Sequence, residues 1–187
     1  MSYAVPTNEL SLTDRKNFAI GAKRAGIARA LALGIARTEQ ELVIREAHPG
    51  TDFTNPAGSG WTNEYYITPG AAGALAWALA PDTGNPPQLG RNQVAAFYKI
   101  MDAAEDPVVT AVRFRVGLTG ATTKASFFIQ QFIDIKLEPE VYLTEPVVYD
   151  PEDWLFIEFY GRAATALAGE ELSFGCFIVE RVGGTIS

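Results

Sequence analysis

From Glu41 onward, apolar and polar side chains alternate with a period of two in one segment after another, and that period admits strands but not helices over most of the chain. The clearest case is 108–118, where Val112, Phe114, Val116 and Leu118 alternate with Arg113, Arg115 and Gly117. Such a segment buries one face of a sheet. The turn Thr119-Gly120-Ala121-Thr122 leads into 125–137, where Phe127, Ile129, Ile133 and Ile135 share a face with Gln131 as the exception, so the two segments form a hairpin. Further strands are predicted over 42–45, 61–68, 93–101, 141–149, 154–162 and 172–182, while 71–80 (AAGALAWALA) fits a short helix as well as a buried strand. The inward phase assigns Val112, Phe114, Val116, Ile129, Ile133, Leu155, Ile157, Phe159, Phe174 and Ile178 to the core. The connections between these segments are rich in turn formers, as in 80–90 with three prolines and two glycines. No helices alternate with the strands, which excludes α/β folds. The expectation is an all-β domain, an eight-stranded β-sandwich, and the jelly roll is the eight-stranded member of that class.

Ahead of the strands lies a stretch of different character. Ser11 or Thr13 followed by Asp14 offers a helix N-cap, and 14–37 is rich in Ala, Leu and Arg, which favour helix. Gly21, Gly26 and Gly34 each weaken it by about 1 kcal/mol relative to Ala. Ile20, Ile27, Leu31 and Ile35 fall on one stripe, with Lys16, Lys23 and Arg24 along its edges. The chain therefore divides into an N-terminal basic helical arm, 1–38, and a sandwich domain, 39–187. Residues 1–38 carry six basic side chains against two acidic ones, a local charge of +4, which leaves −11 on the rest of a chain whose formal charge is −7. An arm of this kind fits an anionic surface, whether lipid headgroups, nucleic acid or a partner's acidic patch, through Lys16, Lys23, Arg24 and Arg29 with Ile20, Ile27 and Leu31. Its plainer reading is a solvated cationic face on a helix that packs beside the barrel. The acidity of the whole argues against sequence-specific nucleic-acid recognition, which needs a positive footprint.

Composition also limits the chemistry. Cys176 is the only cysteine and His48 the only histidine, which removes intrachain disulfides, thiolate zinc sites and multi-histidine metal centres. Cys176, between Gly175 and Phe177, reads as a small core residue. No Gly-x-Ser-x-Gly elbow accompanies His48, and Gly58-Ser59-Gly60 lacks its spacing, so no catalytic residue is assigned. Neither is a cofactor or a metal. The acidic group Asp150, Glu152 and Asp153, with Glu145 nearby, offers oxygen ligands or paired carboxylates, against the plainer reading of a solvated loop. Trp61, Tyr65, Tyr66 and Trp77 offer a sugar-stacking platform, against a role in sealing a sandwich edge. Gly90-Arg91 makes no phosphate cradle. The N-terminus lacks the order of a signal peptide, and no apolar run of membrane-spanning length is present.

A basic helical segment at 14–37 followed by eight strands, with long inserts at 50–60 and 81–91, resembles the single jelly-roll capsid proteins of icosahedral viruses, in particular the major capsid proteins of tailless double-stranded DNA viruses with an internal membrane. The resemblance is one of layout and covers most of the chain. It implies a non-enzymatic structural subunit of a virion, made in the host cytoplasm, with strands upright to the capsid surface and pseudo-hexameric capsomers packed through barrel sides. The implied partners are further copies of the chain, a second capsid protein, and a membrane or neighbour met by an inward-facing N-terminal segment. The alternative is a binding module, either a lectin-like carbohydrate-binding domain or a phage tail or decoration protein.

Overall fold

The computed structural model describes residues 3–47, 77–80, 87–102, 109–117, 122–129, 140–161 and 172–183. Among them a short strand β1 (Ala4–Pro6) precedes the single α-helix α1 (Leu12–Ala32). Eight strands follow: β2 (Leu42–Glu46), β3 (Trp77–Ala80), β4 (Gln93–Asp102), β5 (Val109–Val116), β6 (Thr122–Phe128), β7 (Glu140–Tyr149), β8 (Leu155–Gly161) and β9 (Leu172–Arg181). They form two sheets, ordered β1-β7-β4-β9-β2 and β3-β8-β5-β6, and every pairing is antiparallel.

The order follows from one long hairpin rolled up. With the fold point at the β5–β6 turn, β5 pairs with β6, β4 with β7, β3 with β8 and β2 with β9, each pair nested inside the next. Rolling that ribbon brings β4 beside β9 and β5 beside β8, which closes two four-stranded sheets. This is jelly-roll connectivity, and β1 adds a fifth strand to the outside of β7.

Period-two alternation sets the two inner faces against each other. Phe97 of β4 meets Phe114 of β5 at 5.4 Å and Phe174 of β9 at 5.5 Å between ring centroids, and Phe174 meets Phe159 of β8 at 6.0 Å. Val112, Phe114, Ile129, Leu155, Ile157, Phe159, Phe174 and Ile178 are buried, as the sequence phase requires. Val116 is half-buried at the end of its strand, and Ile133 lies outside the described residues. A register shift in β4 between Phe97 and Lys99 lets Phe97 and Ile100 both point inward, so strict alternation across Tyr98 would misplace half the strand.

Other segments differ from the sequence expectation. The ambiguous 71–80 contributes a strand at Trp77–Ala80. The strand expected over 61–68 lies outside the described residues, and β1, three residues long, has no counterpart in the sequence pattern. The N-terminal helix is present as expected, packed against the sandwich. It lies across the outer face of the first sheet, over β4, β7 and β9, as a third layer on the sandwich.

Candidate functional site

The helix is fixed at both ends by its own sequence. Ser11 Oγ accepts a hydrogen bond from Asp14 N at 3.2 Å while Asp14 Oδ2 accepts one from Ser11 N at 3.1 Å, a reciprocal capping box that selects Ser11 over Thr13. The hydrogen bonds from Ser11's side chain and then its backbone hold the Asp14 carboxyl below its ordinary value. At the other end Gly34, at φ +72°, takes the left-handed turn, with Ile35 N donating to Ala30 O and Gly34 N to Leu31 O. That is a Schellman closure, and it returns Ile35 to pack with Ala30, Val94 and Val179.

The seat of the helix is made of small side chains. Ala22, Gly26 and Ala30 recur every fourth residue and are buried, with Ala19 beside them, against Val94 and Ala96 of β4 and Phe177 and Val179 of β9. The expected stripe is therefore divided. Ile35 is buried, Ile27 is half-buried against Val94 and Val179, Leu31 is half-buried, and Ile20 is 44% exposed. A hydrophobicity search locates large residues, whereas close contact between a helix and a flat sheet here requires small ones.

The cations divide in the same way. The Arg29 guanidinium is not free for a partner. It makes two bonds to Asp150, Nε to Oδ1 at 2.7 Å and Nη2 to Oδ2 at 2.6 Å, and the hydrogen bond and charge of Arg29 hold the Asp150 carboxyl below its ordinary value against the opposing effect of burial. Arg15 Nη2 donates to Thr7 O at 3.1 Å, tying the first turn to the segment that follows β1. Lys23 places Nζ 4.6 Å above the ring of Phe177, which stacks on Tyr98 at 5.1 Å and 7°. Burial, with lesser contributions from charges led by Glu46, pushes the Tyr98 hydroxyl up to about 12. Lys16, Lys23 and Arg24 are exposed and make no ion pair with any described residue. Lys16 and Arg24, with Ile20 and the 73% exposed Leu12, belong to the exposed part of the helix, and Lys23 lies along its edge over Phe177. An apolar centre bordered by unneutralised cations can bind an anionic surface, the chemistry expected for Lys16, Lys23, Arg24 and Ile20. Arg29 and Ile27 instead hold the helix in place.

The remaining candidates resolve separately. Each carboxylate of the β7–β8 loop is occupied: Asp150 by Arg29, Glu152 by Arg91 at 3.2 Å, and Asp153 by Lys124 at 3.4 Å and the Asp150 backbone N–H at 2.9 Å. Among the described residues no group of three or more His, Cys, Asp or Glu side chains is placed to hold a metal. Cys176 is buried in the core. Gly90 N donates to Gln93 Oε1 in a closed turn. His48, Gly58-Ser59-Gly60 and the aromatic group Trp61, Tyr65 and Tyr66 lie outside the described residues, as does the side chain of Trp77. Among the described residues no helix is long and apolar enough to cross a membrane.

Sequence reasoning missed the exposed apolar groups at two sheet edges: Phe128 of β6, 84% exposed, and Val43 and Ile44 of β2. Their residue types read as core, and only the sheet order reveals them as edges. No protein-family model matches the chain, and no curated protein does.

Proposed function

We propose that this protein is a structural, self-assembling subunit, a building block of a virion shell, whose jelly roll packs side by side with further copies and whose helix presents Lys16, Lys23, Arg24 and Ile20 to an anionic membrane or an acidic neighbour. The observation that carries the reading is the third layer. A helix with exposed basic residues, closed at its start by a capping box, is fastened to a rolled-hairpin sandwich by a bidentate ion pair and small-residue packing. A fastened helix presents its cations in fixed positions, so a docking partner meets a preorganised surface and less ordering entropy opposes binding. The acidity of the rest of the chain supplies attraction between the helix of one copy and the body of the next. Electron microscopy and mass photometry of the purified chain test the reading: rings, sheets or shells are expected, and a monodisperse monomer at all concentrations and salts overturns it.

A further inference from the structure

Among the described residues the two sheets end in four edge strands, β1 and β2 on one and β3 and β6 on the other. An open edge offers unpaired backbone groups to any other strand, and natural sheets blunt it with short strands, proline, lysine or a bulge. Two of the other three edges carry such a device: β1 is three residues long and ends in Pro6, and β6 carries Lys124 beside a register shift opposite Phe114 and Arg115. β2 has no proline, lysine or bulge, and its charged residues, Arg45 and Glu46, are confined to its C-terminal end. Its five residues, Leu42-Val43-Ile44-Arg45-Glu46, run in unbroken register along β9, and Val43 and Ile44 are 41% and 37% exposed.

We infer that β2 is a self-pairing edge: two copies of the chain join β2 to β2 antiparallel about a two-fold axis at Val43, giving one continuous sheet across the dimer. This rests on the self-assembly reading above and names the surface that mediates it. The occupant is a second copy because this register complements itself. Val43 faces Val43, each Leu42 faces the other copy's Ile44, and each Glu41 comes alongside the other copy's Arg45. Apolar thus meets apolar at the centre, and opposite charges meet on both flanks. Arg45 is already held at the edge by Glu180 at 2.9 Å, and Glu41 Oε2 accepts the Arg37 N–H at 3.1 Å. A guanidinium with five donors and a carboxylate with two oxygens each have capacity for a further partner. Pairing of this kind is isologous and closes as a dimer without consuming the helix face.

Two variants of the full chain test it. Val43→Lys sets two ammonium groups opposite each other at the axis, and we expect the dimer dissociation constant measured by sedimentation velocity to rise by about a hundredfold, as juxtaposed like charges oppose docking. Val43→Cys places two thiols on directly opposed residues, about 4.5–5.5 Å apart at Cα, within disulfide reach. Mild oxidation should cross-link that variant, whereas Phe128→Cys on the protected β6 edge should stay uncross-linked. A parent chain that assembles while Val43→Cys fails to cross-link and Val43→Lys assembles unchanged overturns the β2 pairing and leaves the subunit reading standing. A parent chain that stays monomeric throughout overturns the subunit reading, and the pairing with it.

Discussion

Gly26 lies so close over Val179 that a methyl group on it would stand 2.8 Å from Val179 Cγ2 and 3.6 Å from Ala96 Cβ. Val179 is fully buried and β-branched, so its side chain has little freedom to give way. Alanine at this position gains about 1 kcal/mol of helix propensity and loses about 1–3 kcal/mol to overpacking, so Gly26→Ala should be neutral to destabilising and Gly26→Leu clearly destabilising. Gly21 sits on the open side of the helix, where an added methyl would meet nothing within 4 Å, and Gly21→Ala should stabilise by up to about 1 kcal/mol. Urea midpoints check the seat of the helix: Gly21→Ala should raise the midpoint, and Gly26→Ala should not.

Acid should loosen the helix before it melts the sandwich. Hydrogen bonding and charge from Arg29 place the folded-state Asp150 carboxyl below its ordinary value of 3.8. The stability this pair contributes is present above that ordinary value and is lost as pH falls through the lower, folded one. Glu180 follows the same sign: burial pushes its carboxyl up, but the hydrogen bonds from Arg45 and Gln93 and the charge of Arg45 together outweigh that push. Hydrogen-exchange protection across 12–32, taken relative to the intrinsic rate at each pH, should fall below about pH 4, and Asp150→Asn should show the lower protection already at neutral pH. Exchange in Asp150→Asn equal to the parent at neutral pH would show that the ion pair does not hold the helix.

The aromatic centre of the core should be the most sensitive point of the sandwich. Phe114 is fully buried and meets Phe97, Phe127 and Phe174 at ring-centroid distances of 5.4, 6.0 and 5.9 Å. Phe114→Ala should cost about 3–5 kcal/mol, read as a lowered urea midpoint at constant slope.

Charge reversal separates the two kinds of cation on the helix. Lys16→Glu with Arg24→Glu should reduce assembly or liposome binding in a salt-dependent way while leaving the unfolding free energy within about 0.5 kcal/mol of the parent. Arg29→Glu should instead lower stability, because it faces Asp150. Equal effects of both on stability would show that the solvent side of the helix is structural.

Several of these features were legible in the chain and several were not, for definable reasons. Strands such as Val109–Val116 and Leu172–Arg181 announce themselves because one face of each is buried and the period of two follows. The helix start was legible because a capping box is local, three residues from Ser11 to Asp14. The seat of the helix was not, because Ala19, Ala22, Gly26 and Ala30 carry little hydrophobicity, and the small size that matters there has no signal until the opposing sheet is known. The division of the cations was hidden for a different reason: Arg29 and Asp150 are separated by 121 residues, and Lys23 and Phe177 by still more. The edges were hidden too, since whether Val43 is core or rim depends on strand order, which long-range closure decides.

The place of β9 has a consequence for how the protein is made. It runs between β4 and β2 within its sheet, and its Phe177 and Val179 form the floor beneath α1. On the ribosome α1 and β2 are synthesised well before β9, so the floor beneath the helix is incomplete and β2 lacks its described partner until residues 172–181 have left the exit tunnel. This layer is closed by contacts of high sequence separation, which form slowly. In the interval the small-residue face of α1 and the β2 edge are uncovered, and nascent chains on neighbouring ribosomes are the nearest alternative partners for both.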